Sequence, residues 1–215
     1  MKTITHRTVN LEFEYSRAIF KELRRLDEWT APNPLENVRE FKISESEVAY
    51  LTIEEIKTIL TECENSRLKD LKAIVKICLA TGARCSEAEG IKGNQIRAGQ
   101  IIYVKIKGKK NRAVPITEKL QAELPSSRKA QLLFKPCYSA FRKAMQRAGI
   151  ETPAGQLTHV LRHTFASHFM MNGGNILVLQ RILGHTDIKV TMRYAHFAPD
   201  HLSEAMLLNP LKNLH

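Results

Sequence analysis

The chain has 215 residues, 43% of them hydrophobic, enough for one well-packed domain or for a domain and a fragment of another. Thirty-three Lys and Arg against 22 Asp and Glu leave a formal charge of +11. That balance suits a polyanionic partner, because each phosphate neutralised releases condensed counterions.

No segment reaches the ~18 to 20 apolar residues of a membrane span, and MKTITHRTVNLEFEYSR contains no apolar leader core. Cys63, Cys78, Cys85 and Cys137 form no C-x-x-C pair, and free thiols suit a reducing compartment, so a cytoplasmic location is expected. In chain order, NLEFEYSRAIFKELRRLD places Leu11, Tyr15, Ile19, Leu23 and Leu26 at helical spacing. WTAPNPLENV then breaks the pattern with prolines, and EFKISESEVAY is polar and charged. Residues 1–44 are therefore expected to form a lone helix and a linker, either docked elsewhere or left from a missing domain, with the main domain from 45.

Helices dominate from LTIEEIKTILTEC onward, where Thr52 and Glu55 have the spacing of a capping box. LKDLKAIVKICLATG, 68–82, is apolar on most of its circumference, which predicts a buried central helix stopped by Gly82. A short helix is predicted from about Ser86. In QIIYVKIKGKKNRAVPI, 100–116, Ile102, Val104 and Ile106 alternate with Tyr103, Lys105 and Lys107, predicting a β-hairpin around a basic turn. Further helices are predicted at 117–123, at YSAFRKAMQRAGI, and at HVLRHTFASHFMM behind a Thr158 N-cap. Others follow at ILVLQRIL between Asn175 and Gly184, at IKVTMRYAHF from Thr186 or Asp187, and in PDHLSEAMLLNPL. The expected fold class is mainly α with a small β-hairpin or sheet (α+β).

LTHVLRHTF, 157–165, carries His159, Arg162 and His163 on one helical stretch. His159 and His163 have the i, i+4 spacing of zinc ligands, but Val160 stands where H-E-x-x-H requires Glu, and His168 lies off that face. No metal site is expected. A phosphate fits better, since the Arg162 guanidinium can hold two non-bridging oxygens while an imidazole donates a third hydrogen bond or moves a proton. His163 and His168 read as packing or solvated side chains. ATGARCSEAEGI places Arg84 just beyond the central helix, with Glu87 able to orient it or to form a structural ion pair. The basic turn offers Lys107 beside Gly108, and LGHTDIKVTMRYAH offers His185 after Gly184, then Tyr194. Two Arg, two His, one Lys and one Tyr at helix or hairpin ends make a metal-free phosphoryl-transfer set, with no cofactor expected.

TGARCSEAEGI, KIKGKKNRAVPI, LTHVLRHTFASHF and LGHTDIKVTMRYAH, in that order, resemble the four signature boxes of the tyrosine recombinases, integrases of temperate bacteriophages above all. The resemblance covers roughly residues 45–208. It implies a tyrosine recombinase catalytic-domain fold for 45–215, ending in an exchange helix, with 1–44 the last helix of a core-binding domain plus linker. It implies a site-specific DNA recombinase that integrates and excises a prophage, with Arg84, Lys107, His159, Arg162 and His185 catalytic and Tyr194 the nucleophile. Lys109 and Lys110 share the turn; Lys107 is chosen because it stands five residues before Arg112, where the family's hairpin lysine aligns.

In the chemistry so implied, the two arginines clamp the phosphate and Tyr194 forms a 3′-phosphotyrosyl bond. His159 assists the phenolic proton, His185 donates to the phosphate, and Lys107 protonates the departing 5′ oxygen. The implied partners are double-stranded DNA attachment sites, three further copies in a tetramer that exchanges C-terminal helices, and host or phage DNA-bending proteins. No membrane partner is implied, and the expected place is the nucleoid of the host cytoplasm. Two alternatives remain, type IB topoisomerase-like DNA relaxation and a non-catalytic DNA-binding fragment.

Overall fold

A computed structural model of the chain describes residues 4–42, 48–104, 111–125, 127 and 129–200. The chain divides into two compact units, Met1–Glu47 and Val48–His215.

The first unit is built on α1 (His6–Arg25), whose N-cap Thr5 accepts a hydrogen bond from the Thr8 amide. Polar anchors hold the following segment along this helix. The Asn10 side chain exchanges two 2.9 Å hydrogen bonds with the backbone of Phe41, and Arg17 donates to the Leu35 and Val38 carbonyls while pairing with Glu40. His6 stacks on Phe41, with ring centroids 4.5 Å apart. The apolar residues at helical spacing do not make this fastening, since Leu11, Tyr15, Ile19 and Leu26 are all exposed.

The second unit is mainly helical with one small sheet, as expected. Its α2 (Ile53–Glu64) opens with the capping box, Thr52 Oγ1 accepting from Glu55 N and Glu55 Oε2 from Thr52 N. The central helix is α3 (Leu71–Thr81), where Leu71, Ile74, Val75, Ile77 and Cys78 have no exposed surface. Gly82 ends it with φ +64°, the left-handed conformation that glycine adopts without a Cβ clash. Next come α4 (Cys85–Glu89), a 3-10 turn at Gly93–Gln95, and the strands β1 (Ile96–Arg97), β2 (Gln100–Tyr103) and β3 (Arg112–Pro115). The antiparallel sheet has the order β1-β2-β3, with Ile101 opposite Val114 and Tyr103 opposite Arg112. Helices α5 (Glu118–Glu123), α6 (Tyr138–Arg147), α7 (Val160–Met171), α8 (Ile176–Leu183) and α9 (Lys189–Met192) complete the unit, with a 3-10 turn at Ala195–Phe197.

Several sequence expectations are corrected here. The sheet has a third strand, β1. Its buried face carries Ile101 and Tyr103, the opposite parity from the Ile102 and Val104 predicted, and Val104 is exposed. The reason is polar: the Tyr103 hydroxyl lies 2.7 Å from Thr81 Oγ1 on α3, and its ring lies under the Arg112 guanidinium at 4.5 Å. Thr158 is not the N-cap of α7; that position is His159, without a side-chain cap bond. The predicted helix IKVTMRYAHF stops after α9, and Tyr194 stands at the entry to the following 3-10 turn. The turn containing Lys107 and the C-terminal segment from residue 201 lie outside the described residues.

The core has two parts. The larger surrounds α3 and takes in Ile59, Ile101, Phe141, Val160 and Leu161. The smaller joins Ala166 and Met170 of α7 to Leu179 and Leu183 of α8 and to Tyr194. Burying the tyrosine ring in the second part fixes where its hydroxyl emerges.

Candidate active site

Helix C-termini leave carbonyl oxygens without intrahelical partners, and two such ends organise the site. Arg162, on the first turn of α7 and only 3% exposed, donates from Nη1 to the Gly82 carbonyl beyond α3 and from Nη2 to the Leu183 carbonyl ending α8, both at 2.8 Å. The same Nη2 lies 2.8 Å from His185 Nε2. A guanidinium only donates, so His185 Nε2 is the acceptor and the imidazole proton sits on Nδ1, 2.9 Å from Thr191 Oγ1. Burial, and next the charge of Arg84, lowers the Arg162 pKa to about 10, so it stays cationic at neutral pH.

Glu87 is the anion beneath this cluster. Its carboxylate accepts two parallel 2.9 Å bonds from Arg112 Nη1 and Nη2, and a third at 2.9 Å from the Arg84 amide. Burial would raise its pKa, but the Arg112 hydrogen bonds and the Arg84 amide hold it below the usual carboxylate value. The Arg84 guanidinium approaches it only to 3.6 Å and its side chain is 41% exposed. Glu87 thus serves chiefly the buried Arg112, leaving the Arg84 head turned toward solvent. Arg112 also donates to the Leu183 carbonyl at 3.3 Å, so Arg162 and Arg112 share one helix end.

Tyr194 is 1% exposed, and its hydroxyl lies 2.7 Å from His163 Nδ1. Burial raises the phenol's pKa, while the charges of Arg162, Arg193 and Arg84 oppose that rise. His163 is pushed down to about 4, first by burial and then by Arg193, His159, Arg162 and His185. His159 is exposed at the mouth, its ring centroid 6.0 Å from that of His163, and burial of its ring and Arg84 lower its pKa. Arg193 acts electrostatically on both histidines and on the phenol, and its Nε is buried without a hydrogen-bond partner among the described residues.

Arg84, His159, Arg162, His185 and Tyr194 therefore come together, from the end of α3, the first turn of α7 and the segment after α8. Lys107 lies outside the described residues. Sequence reasoning missed three members. His163 was read as packing or solvated, yet it holds the phenol; the described contacts include no hydrogen bond between His159 and Tyr194. Arg112 enters the sequence reading only as the marker that places Lys107, and Arg193 does not enter it. Arg112 sits in the basic hairpin and Arg193 next to Tyr194, but neither position signals burial beside an anion or a phenol.

The arrangement can do two things chemically. It gathers cations able to offset the charge of an anion, and it holds a phenol against a neutral imidazole.

Comparison with known proteins identifies the family. Residues 49–201 match the phage integrase family and residues 1–42 match the phage integrase N-terminal domain. The chain is 58% identical over 214 residues to the integrase of Escherichia phage 186, covering all of this chain and 63% of that protein. It is 57% identical over 206 residues to the integrase of Haemophilus phage HP1, covering 96% of this chain and 60% of the relative. The chain thus spans about three fifths of the length of these relatives. The catalytic domain of bacteriophage HP1 integrase superposes with a TM-score of 0.74 at 57% identity, over 79% of this chain and 99% of that one. The Tn1549 transposon integrase, solved in complex with circular intermediate DNA, shares the fold at 21% identity, with a TM-score of 0.71 over 99% of this chain and 81% of its own. With the family matched across the unit that holds the arginines, histidines and buried phenol, the chain belongs to the phage integrase family.

Proposed function

We propose that this chain cuts and rejoins duplex DNA as a site-specific tyrosine recombinase, serving prophage integration and excision. The observation that carries the reading is the approach of Arg84 and Arg162, the latter held against His185, to one buried phenol, Tyr194, from segments far apart in sequence. A phosphodiester is an anion and repels a nucleophile until its charge is neutralised. Arg84 and Arg162 supply that neutralisation and stabilise the added charge of the pentavalent transition state, each preorganised donor being worth ~3 kcal/mol. Tyr194 Oη forms a bond to phosphorus as the bond to the 5′ oxygen breaks, leaving a 3′-phosphotyrosyl link and a 5′-hydroxyl. His159 donates to a phosphate oxygen, His185 Nε2 orients the Arg162 guanidinium that clamps the phosphate, and Lys107 protonates the departing oxygen. The covalent link retains the phosphodiester's energy, so a 5′-hydroxyl from a second strand reseals it without ATP.

The partners in this reading are double-stranded attachment sites and three further copies of the chain, with DNA-bending proteins assisting in the host nucleoid. Residues 1–44 act as the last helix of a core-binding domain with its linker, and 45–215 as the catalytic domain. The apolar positions Leu202, Met206 and Leu208 suit a C-terminal helix exchanged between protomers. The test is a duplex nicked just beyond the scissile phosphate, from which the released fragment diffuses away. Covalent DNA from the unsubstituted chain and none from Tyr194→Phe supports the reading. Equal DNA retention by both, without an adduct, makes the chain a DNA binder. Adduct with relaxation of supercoils but no joining of two sites makes it topoisomerase-like.

A further inference from the structure

We propose that His163 is the general base of strand cleavage, its Nδ1 taking the phenolic proton of Tyr194 across the 2.7 Å hydrogen bond as the oxygen attacks phosphorus. The proposal rests on the reading of Tyr194 as the nucleophile. A phenol holds its proton at neutral pH, and burial here raises its pKa further. An attack that kept the proton would build positive charge on Oη among Arg84, Arg162 and Arg193, so the proton has to leave. The tyrosine is buried, which keeps bulk water from collecting it. Guanidinium groups have no lone pair to accept it, and His185 Nε2 already accepts from Arg162. His163 meets the geometric requirement for a base, hydrogen-bond reach of the proton it removes.

Burial, and next the cations around it, keep His163 neutral, with a lone pair to offer. They also weaken it as a base while the site is empty. A bound phosphodiester places negative charge among the same arginines, offsets their field and strengthens the imidazole when a substrate is present. The step balances: the Oη–P bond forms, the P–O5′ bond breaks, the phenolic proton moves to His163 Nδ1, and the leaving oxygen takes its proton from the acid. On resealing, protonated His163 returns its proton to Oη as the 5′-hydroxyl attacks.

The test uses the full chain and a library of nicked duplexes with randomised sequence around the nick, read as covalent adduct on a denaturing gel. His163→Gln is expected to slow adduct formation by about 100-fold or more. Replacing the 5′ bridging oxygen by sulfur removes the need for a general acid and is expected to leave that defect in place. His163→Gly, checked for folding by its thermal melt, is expected to regain at least about tenfold with added imidazole. Cleavage by His163→Gln within about threefold of the unsubstituted chain overturns the proposal. So does a folded His163→Gly that stays slow whatever the imidazole concentration. No adduct from the unsubstituted chain removes the nucleophile reading itself, and the proposal with it.

Discussion

Arg193, His159, Arg162 and His185 all bear on His163, and with burial they lower its pKa from the ordinary 6.5 to about 4. Between those values the unfolded chain binds a proton that the folded chain refuses. The stability from this group is therefore complete above pH ~6.5 and is lost as the pH falls toward 4. The full shift would correspond to about 3 kcal/mol, and partial solvent access reduces that to about 1–2 kcal/mol. Urea unfolding at pH 7 and pH 4.5 should show the loss, and His163→Gln should show less of it. Glu87 supplies a second prediction. Its removal strands the buried Arg112, so Glu87→Ala should cost about 2–4 kcal/mol and lower the melting temperature by roughly 5–10 °C. The sequence displays Arg84, His159, Arg162, His185 and Tyr194 as residue types at helix and hairpin ends. It does not display that Glu87 pairs chiefly with Arg112, 25 positions on, or that Tyr194 returns to His163, 31 positions back. Those pairings depend on where a strand and a broken helix are carried by packing, and no local spacing encodes that.

Element ends carry the site, and Gly82 is the most constrained of them. Its φ of +64° is left-handed, and a Cβ there would meet Phe165 Cδ1 at 2.6 Å and Leu183 Cδ2 at 2.7 Å. The Gly82 carbonyl is also the acceptor for Arg162 Nη1. Gly82→Ala should cost about 2–4 kcal/mol, from left-handed strain and overpacking. It should also slow adduct formation at temperatures where the variant remains folded, because the Arg162 anchor moves. Thermal melts and single-turnover trapping on a nicked duplex separate the two effects. At this scale the helices are the legible part: the apolar circumference of α3, the Thr52–Glu55 box, Asn175 before α8 and Gly184 after it are all local signals. The sheet is less so. Gln100–Tyr103 has apolar residues on both faces, and alternation alone cannot say which face turns inward. The decision falls to the Thr81 hydroxyl and the Arg112 guanidinium, which lie on other elements. The helix predicted over 188–197 fails for a related reason: breaking it lets Tyr194 bury its ring between α7 and α8.

Across the whole molecule, charge is unevenly shared. Residues 1–47 hold eight Lys and Arg against nine Asp and Glu, so the entire +11 excess belongs to residues 48–215. Composition gives the total charge but not which unit carries it; the division between Glu47 and Val48 supplies that. Non-specific attraction to duplex DNA scales with the phosphates neutralised, and log K falls with log salt by about 0.9 per phosphate. The salt slope of non-specific binding should therefore be set by the second unit. Titrating a short duplex of arbitrary sequence between 50 and 200 mM salt should give slopes for 1–215 and 48–215 that differ by less than about one. Replacing Arg24 and Arg25, at the exposed last turn of α1, should change the slope little, since Arg25 is already paired with Glu22. A slope that collapses when residues 1–47 are removed would instead place the phosphate contacts on α1, around Arg17, Lys21 and Arg24. The positive charge of the second unit would then serve the chemistry of one phosphate more than the holding of many.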